Sequence, residues 1–154
     1  MKIEKYMKVA IQEAKKAYEL DEVPIGAVIV HNDKIIASAH NLKEHDKTVT
    51  SHAEILAIQS ASQTLSNWRL DDCDIYITLE PCPMCASAIQ QSRIKSVYYG
   101  TSNHDKVNNE IVNTIFQTID RNRAIPNVTN CNNKECQELL ATYFKMKRSK
   151  NNIS

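Results

Sequence analysis

Apolar residues first recur at helical spacing. Ile3, Tyr6, Met7, Ala10, Ile11, Ala14, Ala17 and Tyr18 fall on one face, with Lys2, Lys5, Lys8 and Lys15 on the other. The pattern predicts an amphipathic helix whose apolar stripe enters a core. After Pro24-Ile25-Gly26 the period shortens. Ile25 to Val30 and Lys34 to Ala39 read as strands joined by a tight turn at His31-Asn32-Asp33, a hairpin. The chain is polar from Asn41 to about Ser51, which predicts a loop. His52 to about Leu65 reads as a helix, its apolar part marked by Ile55, Leu56, Ile58 and Ala61. Cys73 to Leu79 is a strand with alternating Ile75 and Ile77, Pro83 to Gln91 a short helix, and Ser96 to Gly100 another strand. Strand, helix, strand predicts a parallel crossover. Beyond Thr101 the pattern weakens. Ile111, Val112, Ile115, Phe116 and Ile119 predict a helix, Asn127 to Asn130 a short edge strand, and Cys136, Leu139, Leu140, Tyr143 and Phe144 a last helix. The order predicts an α/β domain in which helices cover a mixed sheet.

Composition narrows this little. The 154 residues fit a single domain, expected over 1–154. At 42% hydrophobic and 24% charged the chain reads as globular. No apolar run approaches the ~20 residues of a membrane helix, and Met1-Lys2-Ile3-Glu4-Lys5 lacks a signal-peptide core. The expectation is a cytoplasmic protein with no membrane partner. A formal net charge of +1 neither announces nor excludes nucleic acid, because a basic patch can be offset by acidic residues elsewhere. Five cysteines cannot pair completely within one chain. In a reducing compartment they read as metal ligands, nucleophiles or small buried residues.

Candidate chemistry sits in two short segments, Ser51-His52-Ala53-Glu54 and Glu80-Pro81-Cys82-Pro83-Met84-Cys85. By composition a His-x-Glu arises about 0.3 times in such a chain and a Pro-Cys-x-x-Cys about 0.004 times, so the second carries the information. Each segment opens a predicted helix, where free backbone N–H groups and the positive dipole end favour thiolate. Cys82 and Cys85 share one face of a helix start. With His52 they make three protein ligands. Structural zinc sites close with four, whereas catalytic sites keep a position for water, whose pKa falls from 15.7 to about 7 on the metal. Cys73, Cys131 and Cys136 have no partner at metal-binding spacing, and His31, His40, His45 and His104 fall in strands or polar loops. Glu54, two residues from His52, is poorly spaced as a second ligand on a helix face. It reads as a general acid/base.

These residues resemble a family. His-Ala-Glu followed by Pro-Cys-x-x-Cys is the signature of the cytidine deaminase-like zinc superfamily. Val23-Pro24-Ile25-Gly26-Ala27-Val28, His40-Asn41, Asn67-Trp68-Arg69-Leu70, Tyr76 to Ala86, Ser92-Arg93-Ile94 and Leu139 to Arg148 are similar to the bacterial tRNA-specific adenosine deaminases. The resemblance implies a three-layer α/β/α sandwich on a mixed, mostly parallel five-stranded sheet. It implies a homodimer with one Zn2+ per subunit and conversion of adenosine to inosine at the first anticodon position of a tRNA. The partner is then a tRNA anticodon stem-loop. By position, His52, Cys82 and Cys85 hold the metal and Glu54 shuttles protons. Asn41 hydrogen-bonds the base, the Ala53 backbone orients it, and Pro24 and Ile25 help wall the pocket. Phe144, Lys145 and Arg148 contact RNA; the basic end Lys145, Lys147, Arg148 and Lys150 suits phosphate.

The chain departs from that family in places. Thr48-Val49-Thr50-Ser51 stands where Pro-Thr-Ala usually precedes His-Ala-Glu. Thr101 to Asn109 contains no glycine where the family runs through a glycine-rich stretch, and Pro126-Asn127 stands near its usual Asn-His. Two other functions remain open from sequence. One is a deaminase of a free base or nucleoside such as guanine or cytosine. The other is a non-catalytic, zinc-stabilised RNA-binding subunit, against which the retained Glu54 argues.

Overall fold

The computed structural model describes residues 2–118 and 125–153. In chain order the elements are α1 (Lys2–Glu19), β1 (Gly26–His31), β2 (Lys34–His40), α2 (Lys43–Asp46), α3 (Ala53–Leu65), β3 (Cys73–Ile77), α4 (Pro83–Gln91), β4 (Ser96–Tyr99), α5 (Lys106–Gln117), β5 (Asn127–Asn130) and α6 (Lys134–Ile153). The sheet order is β2-β1-β3-β4-β5. β1 is antiparallel to both β2 and β3, while β3–β4 and β4–β5 are parallel. Four strands therefore run one way and β1 alone runs the other. The hairpin and the parallel crossover are where the sequence places them.

Alternation builds the layers. Ala27, Ile29, Ile75, Ile77 and Val97 face α3, α4 and α5. Val28, Val30 and Tyr76 face α1 and the start of α6 at Cys136. The result is a three-layer sandwich. Small residues let the helices lie close: Ala10, Ala14 and Ala17 on α1, and Ala53, Ala57 and Ala61 on α3, are all fully buried. At Gly26 a Cβ would overlap the Ala10 carbonyl oxygen, so only glycine admits α1 to this distance. Burying Ile75 and Ile77 stabilises the fold by about 1.5–3 kcal/mol each. A one-residue slip of β3 would turn both toward the tyrosine layer, where Tyr76 stacks on Tyr98 with centroids 4.7 Å apart. That register fixes where the chain after Ile77 emerges.

Apart from one-residue shifts at strand and helix ends, three features differ from the sequence reading. β3 ends at Ile77 rather than Leu79, because Thr78 bonds the Gly26 backbone and the Glu80 N–H turns to the Thr101 carbonyl. The polar stretch 41–51 contains the short helix α2. α5 starts at Lys106, five residues before its apolar run, because the Asp105 side chain accepts from Val107 and Asn108 and caps it. Ile119, expected in that helix, lies outside the described residues. No helix among the described residues is long and apolar enough to cross a membrane.

Candidate metal centre and active site

Strand direction gathers the candidate residues. β1 begins, and β2, β3, β4 and β5 end, at the same edge of the sheet. Pro24 and Ile25, Asn41, the Leu79–Cys82 turn and the Thr101–Asp105 loop thus share one end, where open α/β sheets bind ligands. The turn after β3 is braced from both sides. Thr78 is tied to Gly26, and Glu80 Oε1 accepts the Asn103 N–H at 3.0 Å.

His52 and Cys82 occupy equivalent places, the N-caps of α3 and α4, both in extended backbone with no side-chain capping bond. Their side chains are free for another partner. Pro83 at the first turn of α4 presets the helical φ just after Cys82. Cys82 Sγ lies 3.6 Å and Cys85 Sγ 3.4 Å from His52 Nδ1. The three donor atoms fall within 4.8 Å of one another, the one such cluster among the described residues. A tetrahedral zinc with its usual bond lengths needs a sulfur–nitrogen separation of about 3.6 Å. The donor set and its spacing fit that ion without rearrangement.

The electrostatics mark the same corner. The Cys82 thiol is pulled down to about 4, chiefly by the hydrogen bond from the Cys85 thiol and then, against the cost of burial, by His52. Cys85, donating to Cys82 and buried beside Glu54, is pushed far up. His52 is raised by its bond to Cys82. Elsewhere thiols go the other way: burial lifts Cys73 to about 11 and Cys136 to about 12. They are packing residues, as their spacing implies. Glu54 is 3% exposed in the first turn of α3, its carboxyl against the Cys85 thiol. Burial raises it to about 7.

The remaining candidates divide. Asn41 is buried. Its Nδ2 donates to the Val23 carbonyl at 3.4 Å and its Oδ1 accepts from the Lys43 N–H at 3.2 Å. One amide hydrogen and one lone pair remain for a ligand. The Leu42 N–H donates to the Ser51 carbonyl and so joins this loop to His52. Ala53 and Pro24 are fully buried, and Ile25 is half-buried against the α3–α4 core. Phe144 and Arg148 line a cavity of about 820 Å³ between α6 and the Thr101–Asp105 loop, with Asn103, His104 and Gln137. Lys145 is exposed but does not line it. Lys147 is committed to Asp21 at 2.8 Å. Sequence reasoning missed Glu22, Asn103 and Gln137. Each is a polar residue in a polar stretch, with no spacing to mark it.

Known proteins share this architecture. The MafB19-like deaminase family model matches residues 1–146. The tRNA-specific adenosine deaminase of Bacillus subtilis (strain 168) is 43% identical over 147 residues, 96% of this chain and 91% of that protein. A structure from a study of A-to-I editing by tRNA:A34 deaminases at the wobble position superposes with a TM-score of 0.80 at 40% identity, over 88% of this chain and 98% of that one. Guanine deaminase from Bacillus subtilis is more distant, at a TM-score of 0.64 and 35% identity over 80% of this chain and 82% of that one.

Proposed function

The chain belongs to the MafB19-like deaminases and, within them, to the tRNA-specific adenosine deaminases, and from that premise we propose that it hydrolyses adenosine to inosine at the wobble position of tRNA, with His52, Cys82 and Cys85 as zinc ligands and Glu54 as the proton carrier. The observation that carries the assignment of roles is the His52–Cys82–Cys85 cluster at tetrahedral spacing, with the Glu54 carboxyl buried against it. Zinc, when bound, supplies a Lewis acid that makes water nucleophilic at neutral pH. This chain's residues do the rest. Water adds to C6 of the purine and ammonia leaves. Glu54 accepts one proton of the incoming water and passes it to the ring nitrogen, then takes the second from the C6 hydroxyl as the carbonyl forms and passes it to the departing amine, so its carboxylate ends as it began. The free hydrogen and lone pair of Asn41 hold the base edge, and the Ala53 backbone orients it at the start of α3. Pro24 and Ile25 wall the pocket. The Phe144 ring and the Arg148 guanidinium take a flanking base and a phosphate in the α6 cavity, with Lys145 adding positive charge outside it. A tRNA substrate puts the place of work in the cytoplasm.

A second copy of the chain completes the assembly in this reading. Ile55, Ile58, Trp68, Met84 and Ala88 line an open, largely apolar groove across α3 and α4, directly behind the ligand-bearing helix starts. Trp68 is 61% exposed there. An apolar surface of this kind is expected to be covered in solution; light scattering should then give the mass of two chains, and the mass of one would overturn the dimer.

The deciding experiment offers the zinc-loaded protein an anticodon hairpin carrying adenosine at the wobble position and, separately, free adenosine, guanine and cytosine. Inosine in the hairpin alone is the expected result. Guanine turnover with an untouched hairpin overturns the proposal in favour of a free-base deaminase.

A further inference from the structure

The turn between α1 and β1 holds a carboxylate that the chemistry above does not use. α1 ends in a left-handed cap. Asp21 has φ 61°, its N–H bonds the Tyr18 carbonyl, and the Glu22 N–H reaches back to the Ala17 carbonyl. The residue after such a cap commonly packs an apolar side chain on the helix. Here it is Glu22, and it is 1% exposed. No cation pairs with it among the described residues. Its two oxygens instead accept the backbone N–H groups of Glu44 at 3.0 Å and His45 at 2.7 Å. These are first-turn donors of α2, which lack partners within their own helix. The Leu42 N-cap of α2 makes no side-chain capping bond, so Glu22 does that work from across the loop.

α2 belongs to the 41–51 loop that presents Asn41. Within the loop the Asn41 side chain bonds the Lys43 N–H, Ser51 Oγ bonds Asp46, and the Leu42 N–H bonds the Ser51 carbonyl next to His52. All these bonds are internal to the loop and its flanks. The backbone of α2 itself is fixed to the body of the protein through Glu22. A buried carboxylate accepting two N–H groups is a strong, directional anchor. We propose that Glu22 is a positioning residue for the deamination: it fixes α2, and through α2 sets the angle at which Asn41 meets the base. The proposal rests on the base-holding role given to Asn41 above.

Glu22→Gln tests it with little change of shape. The amide keeps one acceptor but sets an N–H against the second backbone donor. On the anticodon hairpin, kcat is expected to fall about tenfold. KM should stay within about twofold, because the RNA contacts proposed above lie on α6. Zinc content should be unchanged. In an Asn41→Ala background the same substitution should alter kcat by less than about twofold, since the two residues act in series. Unchanged kcat in Glu22→Gln, or effects of Glu22→Gln and Asn41→Ala that simply multiply, overturns the proposal. Amide exchange in the zinc-loaded wild-type protein reads the anchor without any variant. Slow exchange at Glu44 and His45 supports it, and exchange at the rate of a free loop overturns it. An Asn41→Ala enzyme with full turnover would instead remove the base-holding role, leaving the exchange result to judge the anchor alone.

Discussion

The metal corner and the α6 face stand at the same end of the sheet and are built in opposite ways. At the corner, backbone sets each functional atom. His52 and Cys82 are N-caps, Cys85 follows one turn later, and Glu54 is buried in the first turn of its helix. The strand feeding the corner is held in register by Ile75 and Ile77. On the α6 face, long side chains line the cavity. Phe144 is 44% exposed, Arg148 is exposed, and the loop opposite is polar from Ser102 to Lys106. Where backbone fixes the atoms, a substitution removes a function outright. Where flexible side chains line an open cavity, a substitution shifts an affinity. In the proposed reading, reaction chemistry and substrate choice are thus held with different stiffness within one small chain.

The sharpest break is Cys85→Ser. It leaves two ligands and a hydroxyl too weakly acidic to replace a thiolate. Metal content should fall from one per chain to near zero and turnover should vanish, as measured by elemental analysis and inosine formation. Glu54→Gln should keep the metal and lower kcat by about 10²–10⁴, the range for losing a positioned acid/base. If Glu54→Gln lost the metal and Cys85→Ser kept it, the roles within the corner would be reversed. Arg148→Ala should leave kcat nearly intact, weaken hairpin binding severalfold and reduce the slope of log K against log salt by about one. A loss that ignores salt would mean Arg148 does not meet phosphate.

The smallest effect concerns neither region directly. Glu13 on α1, nearly buried, accepts from Lys16 and from His40 at the end of β2, the residue before Asn41. Burial works to raise its pKa, but the bonds from Lys16 and His40 outweigh it and hold it below the ordinary value of 4.5. A depressed carboxyl contributes stability that is complete above its unfolded pKa and is lost as pH falls through its folded one. Glu13→Gln should therefore melt about 2–4 °C lower than wild type at pH 7. The gap should start to narrow below about pH 4.5, the unfolded value, and close only once the pH lies under the folded pKa, where Glu13 is protonated in both states. A gap that persists at pH 2 would assign the effect to packing.

Legibility in the sequence followed the range of the interactions. The α1 stripe, the β1–β2 hairpin and the β3–α4–β4 crossover are local and periodic, and each stands where the pattern puts it. That His52, Cys82 and Cys85 come together was legible because a metal-binding donor set uses particular residue types at fixed spacing. The pairing of β1 against β3 was not, since nothing in Ile25–Val30 says which distant strand will lie on its second side. α2 was hidden for a related reason. Lys43-Glu44-His45-Asp46 has no apolar period, and the residue that holds it, Glu22, lies in the turn after α1. Asp105 ahead of α5 was a readable cap, outweighed by the apolar run that starts at Ile111. Glu22 itself carries no signal, because the residues around it, Glu19-Leu20-Asp21, read as an exposed helix end.

The two glycines reverse the usual relation between glycine and pliancy. Neither Gly26 nor Gly100 has a positive φ; among the described residues the left-handed positions are filled by Asp21, Asn32, Asp33, Lys47, Ser66, Asp72, Arg93 and Asn132. At Gly26 a methyl group would collide with Ala10, and at Gly100 with the Cys136 sulfur. In a library that varies every position, these two should tolerate nothing larger, while turns such as Asn32-Asp33 and Ser66 accept glycine with little loss. In the proposed reading, variation meant to retune substrate choice has the exposed side chains of the Thr101–Asp105 loop open to it, starting just beyond a point that admits no side chain at all.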